Sequence, residues 1–137
     1  MHGDNHSRLV LQLLKSSDGW PVPRCYGTCG RFVVEEHGGE SIGNSESYDW
    51  ADRASVALQL LQAAKNFTSD HPDFRFYLTD VSPDNVAVDE RMKVTFVDLE
   101  NVVVTQKISS GTKRSFFRFR STFLIIYVYV FPLFIVH

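Results

Sequence analysis

The chain has 137 residues, 44% hydrophobic and 22% charged, with a formal net charge of −2. One ordinary globular domain fits these values, and wholesale disorder, a collagen-like repeat and a strongly basic nucleic-acid binder are excluded. The charge is unevenly spread. All sixteen acidic residues lie between Asp4 and Glu100, and up to Gln106 they face only nine Lys and Arg, a balance of −7. From residue 107 onward there are five basic residues, no acid and eight of the eighteen aromatics. The sequence therefore divides into residues 1–107 and a basic, then aromatic and apolar tail, 108–137.

In chain order, Met1 to His6 has no basic segment followed by an apolar one, so it does not read as a secretory signal. Leu9, Val10, Leu13 and Leu14 recur at helical spacing behind Asn5 as a cap, which predicts a short helix from about Ser7 to Lys15. Ser16-Ser17-Asp18-Gly19 and Trp20-Pro21 stop it. Cys25 and Cys29 have no second pair to complete a zinc site, and His37 is the nearest third ligand. They read as two small apolar residues, or in an oxidising compartment as disulfide formers with each other or with partners outside the chain. Arg31 to Glu35 reads as a strand ended by His37-Gly38-Gly39, and Gly43 to Ser47 as a polar loop.

Asp49 opens the strongest helix, with Asp52 in its first turn and an apolar stripe of Ala57, Leu60, Leu61, Ala64 and Phe67, flanked by Val56 and Leu58. Ser69 to Asp73 closes it. After a short run, Phe74 to Leu78, the segments Val86–Val88 and Val94–Val97 flank the turn Asp89-Glu90-Arg91-Met92 and read as a hairpin with Asp98 at its exit. The expected core is Leu60, Leu61, Phe76, Leu78, Val86, Val88, Phe96 and Val97. Asn5-His6-Ser7 and Asn66-Phe67-Thr68 fit the N-glycosylation triplet, so Asn5 and Asn66 are candidate acceptors in a secretory lumen.

Phe123 to Val136 is an uninterrupted apolar run of fourteen residues behind Lys113, Arg114, Arg118 and Arg120. As a helix it spans about 21 Å, short of a hydrocarbon core of about 30 Å. Pro132 interrupts it, and its β-branched and aromatic content suits a strand. Three readings stay open: a membrane-contacting tail, a buried or aggregation-prone strand, and a non-native end such as an alternative splice product.

The stretch Tyr77 to Val103 carries the chemistry. Asp80 is followed five residues later by Asn85, then by the hairpin, then by Asp98. This order suits metal-assisted phosphoryl transfer. Mg²⁺ takes hard oxygen ligands, often only one or two from protein, and Asn85 and Asp98 supply two. Asp80 is left to orient a hydroxyl and accept its proton, and the hairpin returns Asp98 to the cavity from which it departs.

L-T-D-V-S-P-D-N (78–85) resembles the protein-kinase catalytic loop H-R-D-x-x-x-x-N, with D-L-E (98–100) in the place of D-F-G. Together with Val22-Pro23-Arg24-Cys25-Tyr26-Gly27-Thr28-Cys29-Gly30 and the Val33-Val34-Glu35-Glu36 strand, these motifs resemble the divergent protein kinase domain family, closest to its deleted-in-autism-like branch of secretory-pathway proteins. The resemblance covers about Arg8 to Lys107. It implies an α+β, partial protein-kinase-like fold: the end of the N-lobe, the hinge, one long C-lobe helix and the catalytic-loop hairpin.

By resemblance, Asp80 is the catalytic base and Asn85 and Asp98 are the metal ligands. Glu35 and Glu36 fall at the hinge, where backbone groups contact adenine. The cofactors implied are Mg²⁺ and ATP, the partner is a hydroxyl acceptor or an unidentified protein rather than nucleic acid, and the compartment is the Golgi or the extracellular space. The alternative is a non-catalytic pseudokinase or secreted binding module.

Several departures bear on activity. Leu78 and Thr79 replace the His and Arg of H-R-D, Ser82 stands where many kinases carry a Lys, and Glu100 replaces the Gly of D-F-G. Residues 8–15 contribute no glutamate. Gly38-Gly39-Glu40-Ser41-Ile42-Gly43 does not fit a G-x-G-x-x-G loop, and no strand bearing the phosphate-binding Lys is recognisable. The isolated 137-residue chain is therefore expected to show no measurable kinase activity.

Overall fold

The structure, a computed structural model, describes residues 3–30 and 32–107. The expectations for the tail, 108–137, lie outside the described residues. The chain runs α1 (Gly3–Leu13), β1 (Cys25–Cys29), β2 (Phe32–Glu35), β3 (Glu40–Ser41), α2 (Trp50–Ser69), β4 (Phe74–Leu78), β5 (Val86–Val88), β6 (Val94–Phe96) and β7 (Val102–Gln106). The mix of helix and sheet is the α+β content expected. Three antiparallel sheets form, in the orders β1-β2, β3-β5-β6 and β4-β7.

Helix α1 begins earlier than the apolar spacing predicts, so Asn5 sits in its first turn and is not its cap. Val10, Leu11 and Leu14 are buried, while Leu9 faces solvent. The stop is as expected: a 3-10 turn over Ser16–Asp18 ends at Gly19. The next residues cross the core. Trp20 stacks on Phe67 with ring centroids 5.7 Å apart, and the Pro21 carbonyl accepts from the Phe96 amide at 2.9 Å.

Three elements, β1, β3 and β7, are not legible from the sequence as strands. β1 pairs with β2, and β7 pairs with β4 in unbroken register from Phe74↔Gln106 to Leu78↔Val102. Gly43 to Ser47, expected as loop, fall within a 3-10 stretch over Ile42–Ser47 that buries Ile42.

Helix α2 begins as the sequence indicates, with the Asp49 carboxylate accepting from the Asp52 amide at 2.8 Å, which satisfies one orphan donor of the first turn. Its buried face is Val56, Ala57, Leu60, Ala63, Ala64 and Phe67. Leu58 is 67% exposed and Leu61 37% exposed, so neither belongs to the core. The face is centred on Leu60 and Phe67, and at about 100° per residue Leu61 and Leu58 point well away from it. Val97 is only half-buried, whereas Phe76, Leu78, Val86, Val88 and Phe96 are buried as expected.

Phe67 meets the edge of Phe96 at 5.5 Å, so α2 and the hairpin share one aromatic core. Gln59 adds a polar clamp: its Nε2 donates to the Met92 carbonyl at 2.7 Å, and its Oε1 accepts from the Val94 amide at 3.0 Å. Within the turn itself, the Asp89 carboxylate accepts from the amides of Arg91 and Lys93, each at 2.9 Å. Helix and turn together hold the β5-β6 hairpin from behind.

Candidate active site

Strand β4 delivers the chain to Thr79 and Asp80. The β4-β7 ladder continues one rung further, because the Thr79 amide donates to the Asn101 carbonyl at 3.3 Å and the Thr79 hydroxyl donates to the same oxygen. Val81 is buried and anchors the loop. Pro83, at the first turn of a 3-10 helix over Pro83–Asn85, presets its backbone angle. The Asn85 amide then closes that turn on the Ser82 carbonyl at 3.0 Å.

The side chain of Asn85 reaches back, its Nδ2 donating to the Asp80 carbonyl at 3.2 Å. A carbonyl can only accept, which fixes the amide orientation and leaves Oδ1 free to face a cation. On the other side, the Asn85 carbonyl accepts from the Val97 amide at 3.0 Å, so the hairpin exit sits beside the loop from which the hairpin starts. Asp98 follows, and its Oδ1 accepts from the Glu100 amide at 2.9 Å. Leu99, 2% exposed, pins that turn into the core, and Asn101 completes the return to Thr79. Asp80, Asn85 and Asp98 are thus joined by one closed circuit of hydrogen bonds and short chain segments.

The three groups differ in what remains available. Asp98 spends one carboxylate oxygen on its own turn, so the turn-forming role common for aspartate is real there, and the other oxygen is left. Asp80 is exposed, and among the described residues its carboxylate has no hydrogen-bond or ion-pair partner. It forms no part of the loop's own bonding, so turn formation does not account for it.

Among the described residues, no group of three or more His, Cys, Asp or Glu is arranged to hold a metal ion. A cation here would rest on Asn85 Oδ1 and one Asp98 oxygen, with water and phosphate completing the shell, which is the sparse protein coordination Mg²⁺ accepts. The donor set fits. Cys25, Cys29 and His37 do not form a site. The two cysteines stand at opposite ends of the extended β1, about 13 Å apart at strand rise, beyond the reach of a disulfide with each other.

The hinge candidates separate. The Glu36 amide donates to the Arg24 carbonyl at 2.8 Å and its carboxylate accepts from the Arg24 amide at 3.3 Å, so both are used in tying β2 to the start of β1. Glu35 is close enough to Asp98 to feel its charge: desolvation first, and that negative charge second, push its carboxyl above the usual value. The segment that follows lies against the hairpin. A Cβ on Gly38 would stand 2.7 Å from Val97 Cγ1, and one on Gly39, at φ +115°, would stand 2.3 Å from the Val88 carbonyl oxygen. These glycines serve close packing, which is why they match no phosphate-binding loop. Ser41 extends the contact, its hydroxyl donating to the Pro83 carbonyl at 3.0 Å.

The glycosylation candidates do not present loops. Asn5 lies within α1 and Asn66 within α2, and the Thr68 hydroxyl of the second triplet is buried and donates to the Ala64 carbonyl at 2.9 Å.

A model of the protein-kinase domain of FAM69 matches residues 3–115. The chain belongs to that family. It is 42% identical over 104 residues to Divergent protein kinase domain 2A of Xenopus tropicalis and 41% identical over 104 residues to the Homo sapiens protein of that name, covering 75% of this chain in each case. Divergent protein kinase domain 2B of Mus musculus is 34% identical over 79 residues, 56% of this chain. The chain spans about a quarter of the length of the 2A relatives, 24% of each, and 18% of the 2B relative. Within this FAM69 domain, the circuit holds residues that sequence reasoning did not single out. Thr79 reads from the sequence only as a departure from H-R-D, and Asn101 lacks any local motif, as do Gln59 and Ser41, which brace the hairpin and the loop from outside the circuit.

Proposed function

We propose that this FAM69-family chain carries the catalytic-loop part of a divergent kinase site that moves a phosphoryl group from Mg-ATP to a hydroxyl acceptor. The observation that supports this most is the hydrogen-bond circuit joining Asp80, Asn85 and Asp98, which leaves the Asp80 carboxylate and one oxygen each of Asn85 and Asp98 without a partner among the described residues. In this reading the Asp80 carboxylate accepts the proton of the acceptor hydroxyl as its oxygen attacks the γ-phosphorus and the bond to ADP breaks. Asn85 Oδ1 and Asp98 hold Mg²⁺, which when bound neutralises charge on the phosphate oxygens. Glu35, at the end of β2, borders the nucleotide side. The working compartment in this proposal is the secretory pathway.

A second reading is a non-catalytic kinase-like module that binds a protein partner. It is favoured by one feature: among the described residues, no Lys or Arg side chain bonds to Asp80, Asn85 or Asp98, so the phosphates' charge would fall on the cation alone. Thermal unfolding of the 137-residue chain with and without Mg²⁺ and ATP separates the two. The first reading predicts stabilisation that needs both and is lost in Asp98→Asn; equal melting in all conditions supports the binding module. Phosphoryl transfer is tested in a full-length FAM69 relative with radiolabelled ATP, and turnover insensitive to substitution at the matching aspartate would contradict Asp80's role.

A further inference from the structure

Resting on the reading of Asp80, Asn85 and Asp98 as one site, we infer that Thr79 is a positioning residue whose hydroxyl sets the Asp98 turn in register with Asp80. The β4-β7 ladder supplies good pairing only to Leu78↔Val102. The following backbone bond, from the Thr79 amide to the Asn101 carbonyl, is long at 3.3 Å, in a range where such bonds weaken. The Thr79 hydroxyl reaches the same carbonyl at much closer range. The side chain therefore carries the contact that the backbone makes poorly.

The consequence follows from the covalent neighbours at each end. Thr79 adjoins Asp80. Asn101 closes the short turn that begins at Asp98, which the bond between the Asp98 carboxylate and the Glu100 amide tethers internally. Loosening the Thr79–Asn101 contact frees the Asp98 turn at one end while leaving Leu99 buried at its middle. The hairpin side of the circuit is held separately, through Val97 and Asn85. Thr79 is thus the one side chain whose loss shifts Asp98 relative to Asp80 without dismantling β4, β7 or the hairpin. It stands where H-R-D has arginine, and its acceptor is a carbonyl of this same chain.

The test uses the 137-residue chain with Thr79→Val, which keeps shape and loses the hydroxyl, and Thr79→Ser, which keeps the hydroxyl. Thr79→Ala serves as a second deletion should valine crowd the rung. Native-state amide hydrogen exchange is read at Glu100 and at Tyr77 and Val103, which face each other in the ladder. The loss of one neutral hydrogen bond predicts about fivefold faster exchange at Glu100 in the Val and Ala variants, near-wild-type exchange in Thr79→Ser, and no change in the ladder amides. Mn²⁺ affinity measured by electron paramagnetic resonance should weaken by a similar factor in Thr79→Val and recover in Thr79→Ser. Unchanged Glu100 exchange, acceleration in serine equal to that in valine, or equal acceleration along the whole ladder would overturn the inference. Should the wild-type chain bind no Mn²⁺, the cation reading of the site fails, and the exchange comparison still decides the role of Thr79.

Discussion

The contact between residues 38–39 and the hairpin gives a sharp energetic test, because the hairpin carries Asn85 at its start and Asp98 just beyond its end. In Gly39→Ala the added Cβ would meet the Val88 carbonyl oxygen at 2.3 Å, the Val88 carbonyl carbon at 2.5 Å and the Asp89 nitrogen at 2.7 Å, with φ at +115°. All three are backbone atoms at or just past the end of a strand paired on both sides, so none can rotate away. Overpacking costs about 1–3 kcal/mol and a residue forced into this backbone region about 1–3 kcal/mol more, so the expected loss is roughly 2–6 kcal/mol. Gly38→Ala meets side chains instead, Val97 Cγ1 at 2.7 Å and Ala87 Cβ at 3.1 Å. Val97 is half-buried and can turn, which places the cost at about 1–2 kcal/mol. Gly27→Ala, with nothing within 4 Å of the new Cβ, should stay within about 0.5 kcal/mol of wild type. Urea unfolding followed by tryptophan fluorescence measures the series, since Trp20 is packed on Phe67. If Gly39→Ala proves no more costly than Gly27→Ala, residues 38–39 do not sit on the hairpin and the proximity of Glu35 to Asp98 falls with them.

Other consequences can be checked on the same chain. The Glu35 carboxyl is held above its ordinary value of 4.5, by burial first and by Asp98 second; its ionised form is therefore disfavoured in the folded state. Its contribution is fully present below 4.5 and is lost as pH rises through the raised folded-state value. Glu35→Gln should accordingly be more stable than wild type at neutral pH in thermal melts, with the gap closing toward pH 4; a gap independent of pH would refute this. Gln59→Leu strands the buried Val94 amide and removes the bond to Met92, at an expected cost of about 2–3 kcal/mol by urea unfolding. Phe96→Ala removes a buried ring that meets Phe67 and should cost about 3–5 kcal/mol, enough to abolish a cooperative transition in a small domain.

Much of the site could be read from the chain because its signals are local. The Asp49 cap, the spacing from Asp80 to Asn85 and the valine runs around Asp89 to Met92 each declare their structure within a few residues. What escaped depends on distant partners. β1 is interrupted by Gly27 and is exposed along its whole length, so it carries no burial pattern. β7 looks like the flank of D-L-E until its register with β4 is known. Between Val56 and Phe67 of α2, eight apolar residues leave the helical face ambiguous by about one residue's rotation, and only packing against Phe96 and Trp20 decides that Ala63 turns inward while Leu61 turns outward. Thr79 reads as a loss when set against H-R-D, and its bond to the Asn101 carbonyl becomes visible only once the two loops are placed side by side.

The central claim, a shared cation site at Asn85 and Asp98 with Asp80 outside the metal's shell, is tested most directly by Mn²⁺ titration followed by nuclear magnetic resonance. Paramagnetic broadening should reach the Asn85 side-chain amide and the Glu100 backbone amide first, disappear in Asp98→Asn and persist in Asp80→Asn. Broadening centred elsewhere, or unchanged by Asp98→Asn, would contradict it.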